Sequence, residues 1–449
     1  MMDLVSFDYK KEPLRDILFI DVKSFYATVE CIYHGWDPLE TLLVVASHAD
    51  NTGNGLILAA SPKAKEILGI SNVSRIDNLP DHPLLKQVPP RMRLYIKENV
   101  LLNDLFKTYV APKDLLIYSI DESILDITHS LNLFFPDPNL SRQEKRWLMA
   151  RKIQTEVYEK TGLILSVGIG DNPLLAKLAL DTEAKYRKEN GYTTEWTYQD
   201  VKNKVWQIDP MTEFWGIGSR TKKQLAKIGI NTIEQLANSN IDLLYYRFGV
   251  IGEQLYHHAN GIDRTILAET PPTVKEKSYG NSQVLPKNYT KQREIEIVIS
   301  ELAEQVAARI RRHDYFTSCV HLYIGAAYGE TDGDFSHQMK IPATNTNKEL
   351  KAHCLRLFRK YYQGQAIRHI GISYSKLTYI KAREMDLFED IDTYVNEERL
   401  DKIIDKIRAK YGFHSIFYAT SKLEGARSLA RSHLVGGHNG GAGGLDGLS

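Results

Sequence analysis

Apolar residues in this chain come in two rhythms, short solid runs and longer stretches with helical spacing. Solid runs at Asp16–Val22, Leu42–Ala46, Leu56–Ala60, Leu115–Ile117 and Leu163–Ile169 read as buried strands. Helical spacing marks Lys23–Tyr33, Arg93–Tyr109 and Arg142–Lys160. Ser61-Pro62 is an N-cap and first-turn pair for a helix that runs to Leu68 and stops at Gly69. Prolines 80, 83, 89 and 90 mark a boundary, and Pro271-Pro272 a linker. Beyond it the order is strand (Lys277–Leu285), helix, strand (Tyr315–Ile324), strand (Phe335–Ile341), helix, strand (Ile367–Leu377). That βαββαβ order predicts a four-stranded sheet with helices on one face. Residues 1–15 read as a mobile lead-in, Glu397–Tyr411 as a helix, and the Gly-rich stretch Gly436–Ser449 as flexible.

Two strands end in acids. The run Leu115–Ile127 is interrupted by Asp121-Glu122, and carboxylates among apolar neighbours need a partner. Adjacent residues on a regular strand face opposite ways, so both acids serve one site only where the chain bends. A divalent metal would justify the bend; a polar hairpin turn open to water is the plain alternative. Asp21 ends the first strand where a helix begins, a junction whose backbone N–H groups favour anions such as a triphosphate. If the two strands pair, three carboxylates meet, enough for two metals roughly 4 Å apart.

Further along, Phe214-Trp215-Gly216-Ile217-Gly218-Ser219 precedes an amphipathic helix, the pattern of a helix-hairpin-helix. Gly216 and Gly218 would let backbone N–H groups approach a phosphate beside Arg220, Lys222 and Lys223, contacting DNA without reading its sequence. An ordinary turn between helices is the alternative, and Phe248–Gly252 is a weaker second copy. Gly168 and Gly170 do not complete a dinucleotide fingerprint. Lys177, one turn into the next helix, can reach a phosphate or snorkel to solvent. Lys63 and Lys65 oppose the dipole of their helix unless an anion lies nearby.

Composition narrows the class. With 449 residues, 43% hydrophobic and 25% charged, the chain reads as several soluble globular domains. No apolar run approaches the roughly 20 residues of a membrane span, and no signal peptide is recognisable. Cys31, Cys319 and Cys354 are distant from one another and set among apolar residues, as in reduced cores of a cytoplasmic protein. Net charge is only +1, but residues 273–381 hold 17 Lys and Arg against 10 Asp and Glu, a local balance suited to a polyanion.

The sequence resembles the Y-family DNA polymerases, the damage-bypass enzymes, in their UmuC-like, UvrX-type branch of Gram-positive bacteria and mobile elements. The resemblance rests on Phe19–Glu30, Tyr118–Ser123, Ser166–Asp181 and Phe214–Ile230, in that order, and spans about Asp16 to Phe388. It implies an α+β multidomain right-hand polymerase: palm (1–24 and 91–185), small fingers (25–90), helical thumb with the helix-hairpin-helix (186–270), linker (271–276), βαββαβ little finger (277–381) and C-terminal tail (382–449). It further implies that Asp21, Asp121, Glu122 and the Val22 carbonyl hold two Mg²⁺ ions. Tyr26 would be the steric gate against ribonucleotides, with Phe25, Lys65 and Lys177 at the nucleotide. Primer–template DNA and dNTPs are the implied substrates, and SOS accessory proteins possible partners. Glu384-Met385-Asp386-Leu387-Phe388 is similar to a sliding-clamp-binding pentapeptide, with Met385, Leu387 and Phe388 as its apolar contacts and Glu where Gln is usual.

Lys23, Ala59, Pro62 and Lys65 depart from the family pattern, which bears on nucleotide contacts. After palm through little finger, the rest is too short and polar for a proofreading exonuclease, so no 3′→5′ exonuclease activity is expected; the resemblance implies error-prone synthesis. A two-metal nuclease and a non-catalytic DNA- or clamp-binding factor are the competing readings.

Overall fold

The protein is described by a computed structural model over residues 7–47, 55–70, 74–269, 277–330, 333–379, 391–435 and 438–439. It divides into two compact units, residues 1–41 with 95–271 and residues 42–94 with 272–449.

In the first unit, strands β1 (Ile17–Val22), β2 (Leu115–Ile117), β3 (Glu122–Asp126), β4 (Leu165–Gly170) and β5 (Thr193–Trp196) form one sheet, ordered β2-β3-β1-β4-β5. β1 lies in the middle, antiparallel to β3 and β4. Its alternate residues Ile17 and Phe19 pack with Ile124, Ala176 and Leu180, so one side of β1 faces the helix after β4. Helices α1 (Phe25–Tyr33), α2 (Met92–Phe106), α3 (Arg142–Thr161) and α4 (Pro173–Ala179) complete the sheet's surroundings. Ser141 and Glu144 start α3 with a capping box, and the Asn172 side chain caps α4. Gly168 and Gly170 are explained by packing. A Cβ at Gly168 would lie 2.0 Å from the Ala176 carbonyl oxygen, and one at Gly170 would lie 2.3 Å from Ala176 N. Glycine there lets α4 lie directly on β4.

Three expectations are corrected. Leu115–Ile117 is an edge strand, not a buried one: Leu116 is 43% and Ile117 51% exposed, because an apolar run does not say whether a second strand covers it. β5, inside the stretch expected to be thumb, pairs parallel with β4 and completes the sheet. Its sequence, Thr-Thr-Glu-Trp, carries little apolar signal. Residues 7–15 are not a loose lead-in. Tyr9 stacks on Tyr198 at 5.2 Å and donates its hydroxyl to the Asn260 carbonyl, while Glu12 pairs with Arg264.

The remaining helices of this unit are α5 (Ser219–Ala226), α6 (Ile233–Ala237), α7 (Ile241–Phe248) and α8 (Val250–Ala259). They share a core with Leu174, Leu175 and Leu178 of α4.

In the second unit, strands 43–46, 57–60 and 86–88 form a small sheet. Ser61 caps helix Pro62–Leu68 through the Ala64 N–H, and Gly69 ends it at φ +61°, as expected. The βαββαβ order is observed as β6 (Tyr279–Tyr289), α9 (Gln292–Arg312), β7 (Phe316–Ala326), β8 (Phe335–Thr344), α10 (Asn347–Tyr361) and β9 (Ile367–Thr378). The sheet order is β8-β7-β9-β6, and both helices bury their apolar stripes against it. Helix α11 (Ile391–Tyr411) is longer than the sequence pattern predicts and is tied to α9 by Arg311–Asp405 and Arg408–Glu304 ion pairs. All three cysteines are buried, and none is in a disulfide. Among the described residues no helix is long and apolar enough to cross a membrane.

Candidate active site

The two acid-ended strands pair, and they do so at their acids. Asp21 and Glu122 are register partners across β1 and β3, and the Val22 N–H donates to the Asp121 carbonyl at 2.9 Å. Between β2 and β3 the chain reverses: the N–H groups of Tyr118 and Ser119 both donate to the Glu122 carbonyl, each at 3.0 Å. The Ser119 hydroxyl donates to Asp121 Oδ1 at 2.7 Å. Asp121-Glu122 is therefore a hairpin turn, as the plain alternative held. It is not open to water: the Asp21 and Glu122 side chains are each 13% exposed.

Helix α4 and the turn after it supply the opposite charge. Lys177 Nζ donates to Glu122 Oε1, lies 3.1 Å from Asp181 Oδ2 and sits 4.6 Å above the Phe19 ring. Lys185 Nζ lies 3.0 Å from Asp21 Oδ2, 3.0 Å from Asp181 Oδ1 and 3.7 Å from Glu122. Residues 177, 181 and 185 are four apart, one face of a helix, although the chain widens to a π-turn over Leu180–Ala184. Burial pushes Asp21 up to about 6; Lys185 opposes this, and the charges of Asp121 and Glu122 add to it. Burial works against the charge of Lys185, but Asp21 and Asp181 outweigh it and hold the lysine above its ordinary value.

Asp21, Glu122 and Asp181 thus face two ammonium groups, with Asp121 beside Asp21. Hard carboxylate oxygens, mutual repulsion and lysines standing where cations are needed fit a divalent ion such as Mg²⁺. The acids are gathered rather than caged: among the described residues no three of His, Cys, Asp and Glu form a metal-holding group. Lys177 is buried, so it does not snorkel, and its partner here is Glu122.

At the start of α1, Ser24 is left-handed (φ +48°) and gives the helix no side-chain cap. Phe25 is buried, while Tyr26 is half-buried and stacks on the fully buried Tyr95 at 4.4 Å and 15°. Burial, then the charge of Asp121, raises the Tyr26 hydroxyl above its ordinary value. Tyr95 donates to Glu30 Oε1 at 2.6 Å, which fixes the ring under Tyr26.

The hairpin before α5 differs from expectation on its first side, where a single 3₁₀ turn, Met211–Glu213, replaces a helix. Gly216 takes φ +95°, a conformation that favours glycine. Gly216, Gly218, Arg220, Lys222 and Lys223 are all exposed. A groove of about 450 Å³ is lined by Asp181, Lys185 and Phe214–Gly218, so the hairpin borders one space with Asp181 and Lys185. Trp215 Nε1 reaches the Tyr118 hydroxyl at 3.3 Å, joining the hairpin to the acid turn. The second copy is a tight turn between α7 and α8, with Gly249 at φ +62°.

Lys65 stands exposed on helix Pro62–Leu68 in the other unit. Met385, Leu387 and Phe388 lie outside the described residues. Asp181, Lys185, Tyr95 and Trp215 were not singled out as site residues from sequence. The four-residue spacing of Lys177, Asp181 and Lys185 was the available signal for two of them.

Comparison with known proteins gives the family and the fold. Residues 20–181 match the impB/mucB/samB family and residues 276–387 its C-terminal domain, while residues 212–263 match the DNA polymerase-iota thumb domain. UvrX of Bacillus subtilis (strain 168), described as a candidate UV-damage repair protein, is 38% identical over 434 residues, 96% of this chain and 99% of that one. DNA polymerase IV 2 of the same strain is 31% identical over 431 residues, covering 94% and 98%. DNA polymerase IV of Moorella thermoacetica (strain ATCC 39073 / JCM 9320) is 32% identical over 426 residues, covering 92% and 97%. A solved Y-family polymerase chimera of Dbh and Dpo4 has the same fold, with TM-score 0.64 and 21% identity over 81% of this chain and all of the chimera. The catalytic class is a right-hand, α+β template-copying enzyme. The chain belongs to the Y family of DNA-directed DNA polymerases, on the branch that includes UvrX.

Proposed function

We propose that the chain extends a DNA primer from dNTPs across damaged template bases, by two-metal nucleotidyl transfer, with low fidelity and no proofreading. The observation that carries this reading is the pairing of Asp21 with Glu122 beside Asp121 on a closed hairpin turn. The acids would hold two Mg²⁺ ions, with the Val22 carbonyl as a further ligand; bound there, the ions lower the pKa of the primer 3′-hydroxyl and neutralise the triphosphate.

The remaining roles belong to the chain. Lys177 and Lys185 screen the acids from one another and turn to the triphosphate when cations replace them. The first turn of α1, at Phe25, meets phosphate oxygens with its N–H groups. Tyr26, braced by Tyr95, occupies the space a ribose 2′-hydroxyl would need. The exposed glycines and cations of the hairpin grip the DNA backbone. Palm, fingers, thumb and little-finger domains, with the palm extended to include β5, a sliding clamp held by residues 385–388 and SOS accessory partners belong to the same reading.

The test is primer extension on undamaged and abasic templates with Asp121→Ala and Glu122→Ala, alongside binding of the same duplex. Loss of extension with retained binding supports the reading; full-rate synthesis by either variant overturns it. Omitting nucleotides separates the nuclease alternative, because a nuclease would shorten the DNA. Metal-dependent 3′ trimming abolished by Asp21→Ala would refute the absence of proofreading.

A further inference from the structure

The helical side of the β6–β9 domain carries a groove of about 750 Å³ between α9, α10 and α11, outside the acid site described above. One wall is a single stripe of α10, with Lys348, Lys351, Ala352, Leu355, Arg356 and Arg359 spaced three and four residues apart. Ala352 and Leu355, with Leu400 and Tyr418 opposite, make an apolar floor.

The groove's acids are already engaged. Glu301 accepts from the N–H groups of Arg427 and Ser428 and from the Ser428 hydroxyl. Glu304 pairs with Arg408, Glu397 with Lys348, and Asp401 accepts from both nitrogens of Asn347. On the basic wall Arg359 pairs with Glu296. Lys351 and Arg356 are exposed and make no ion pair among the described residues. The groove therefore offers two available cations over an apolar floor.

The opposite wall is formed by α11 and Tyr418, which lie past residue 387, where the last family match ends.

We propose that this groove binds an acidic amphipathic peptide of a partner protein. Its apolar side chains would rest on Ala352, Leu355, Leu400 and Tyr418, and its carboxylates on Lys351 and Arg356. A nucleic-acid strand suits it less, since a phosphate backbone needs a longer run of cations and gains nothing from an apolar floor.

The test is fluorescence anisotropy with the full chain. The probe is a labelled helical peptide of about four turns, with leucine on one face and glutamate elsewhere. The same peptide with lysine for glutamate is the control, and unlabelled single-stranded DNA the competitor. Saturable binding of the acidic peptide is expected, weakened about tenfold or more by Lys351→Glu with Arg356→Glu. Ala352→Glu, which sets a carboxylate on the floor, is expected to weaken it similarly. Extension of a short primer by both variants stays at the wild-type rate. Equal binding of the lysine peptide, indifference to the charge reversals, or no saturable binding overturns the proposal. Displacement by the oligonucleotide through the same residues also overturns it, in favour of a nucleic-acid site. These outcomes do not depend on the catalytic acids, so failure here leaves the polymerase reading standing.

Discussion

Strand β1 is flanked by an acid at each end, and the two ends treat their acids differently. Asp16, 3% exposed, accepts from the guanidinium groups of Arg142 and Arg146. Arg146, itself buried, also holds Asp171 and Glu195. Its planar fork satisfies three carboxylates in fixed directions. Asp21, at the other end, faces Lys185, a point charge on a flexible stem. There Asp21, Glu122 and Asp181 meet two ammonium groups, and Asp21 is pushed up to about 6. Each end has three carboxylates to two cations, so their number does not separate them. Their kind does: rigid guanidinium forks hold one end, and lysines that can swing aside hold the other.

Exchanging the two acids' fates is the strongest test of that contrast. If Asp21 is a metal ligand as proposed, Asp21→Asn should cost primer extension about a thousandfold or more. Its duplex affinity should stay within about threefold of wild type, because the carboxamide keeps the shape and the DNA-facing cations remain. An active Asp21→Asn enzyme would dissolve the distinction. Asp16→Ala should do the reverse. It takes from buried Arg146 one of its three carboxylates, leaving Asp171 and Glu195, and should cost up to about 3–5 kcal/mol of stability. Below its lowered Tm, activity per folded molecule should remain near wild type. A catalytic defect there, with the melting curve unmoved, would place the wrong end of the strand at the chemistry.

The alternation of apolar runs made β1, β4 and the whole βαββαβ domain legible, because buried strands and amphipathic helices differ in period. Asp21 and Glu122 were legible as acids that end apolar runs. What was not legible depended on neighbours far along the chain. β2 reads like β4, yet no strand covers its outer side, and β5 is strand only because β4 offers it a partner. Residues 7–15 are held by Tyr198, Asn260 and Arg264, contacts that local sequence does not encode. Lys185 was missed for a milder reason: its spacing from Lys177 and Asp181 was visible, but its importance required knowing where that helix face points.

Acidity sharpens the comparison at a smaller amplitude. Asp21 shifts from its ordinary 3.8 to about 6, so the folded protein retains a proton that the unfolded chain has released between those values. The cost to folding is absent below about pH 4, grows as pH rises, and is complete above about pH 6, at no more than about 3 kcal/mol. In chelator, the stability of Asp21→Asn relative to wild type should therefore rise across that window and level off, as followed by thermal melts. Extension at limiting Mg²⁺ should fall as pH drops through about 6, and the midpoint should move lower as Mg²⁺ is raised. A midpoint indifferent to Mg²⁺ would mean that another group controls the profile.

The smallest effect concerns a residue held by neither kind of cation. Tyr26 is positioned by its stack on Tyr95, and Tyr95 is fixed by its hydroxyl on the buried Glu30. Tyr95→Phe keeps the ring and removes the anchor. The lost hydrogen bond to a charged group should cost about 1–3 kcal/mol of stability. If the anchor holds Tyr26 against a ribose 2′-hydroxyl, discrimination against ribonucleotides should relax a fewfold while dNTP turnover changes less. Tyr26→Ala should relax it far more, because the ring itself is gone. A Tyr95→Phe enzyme that loses stability but selects sugars as before would show that the stack alone fixes the gate, and that the Glu30 contact serves only to fill a buried polar pair.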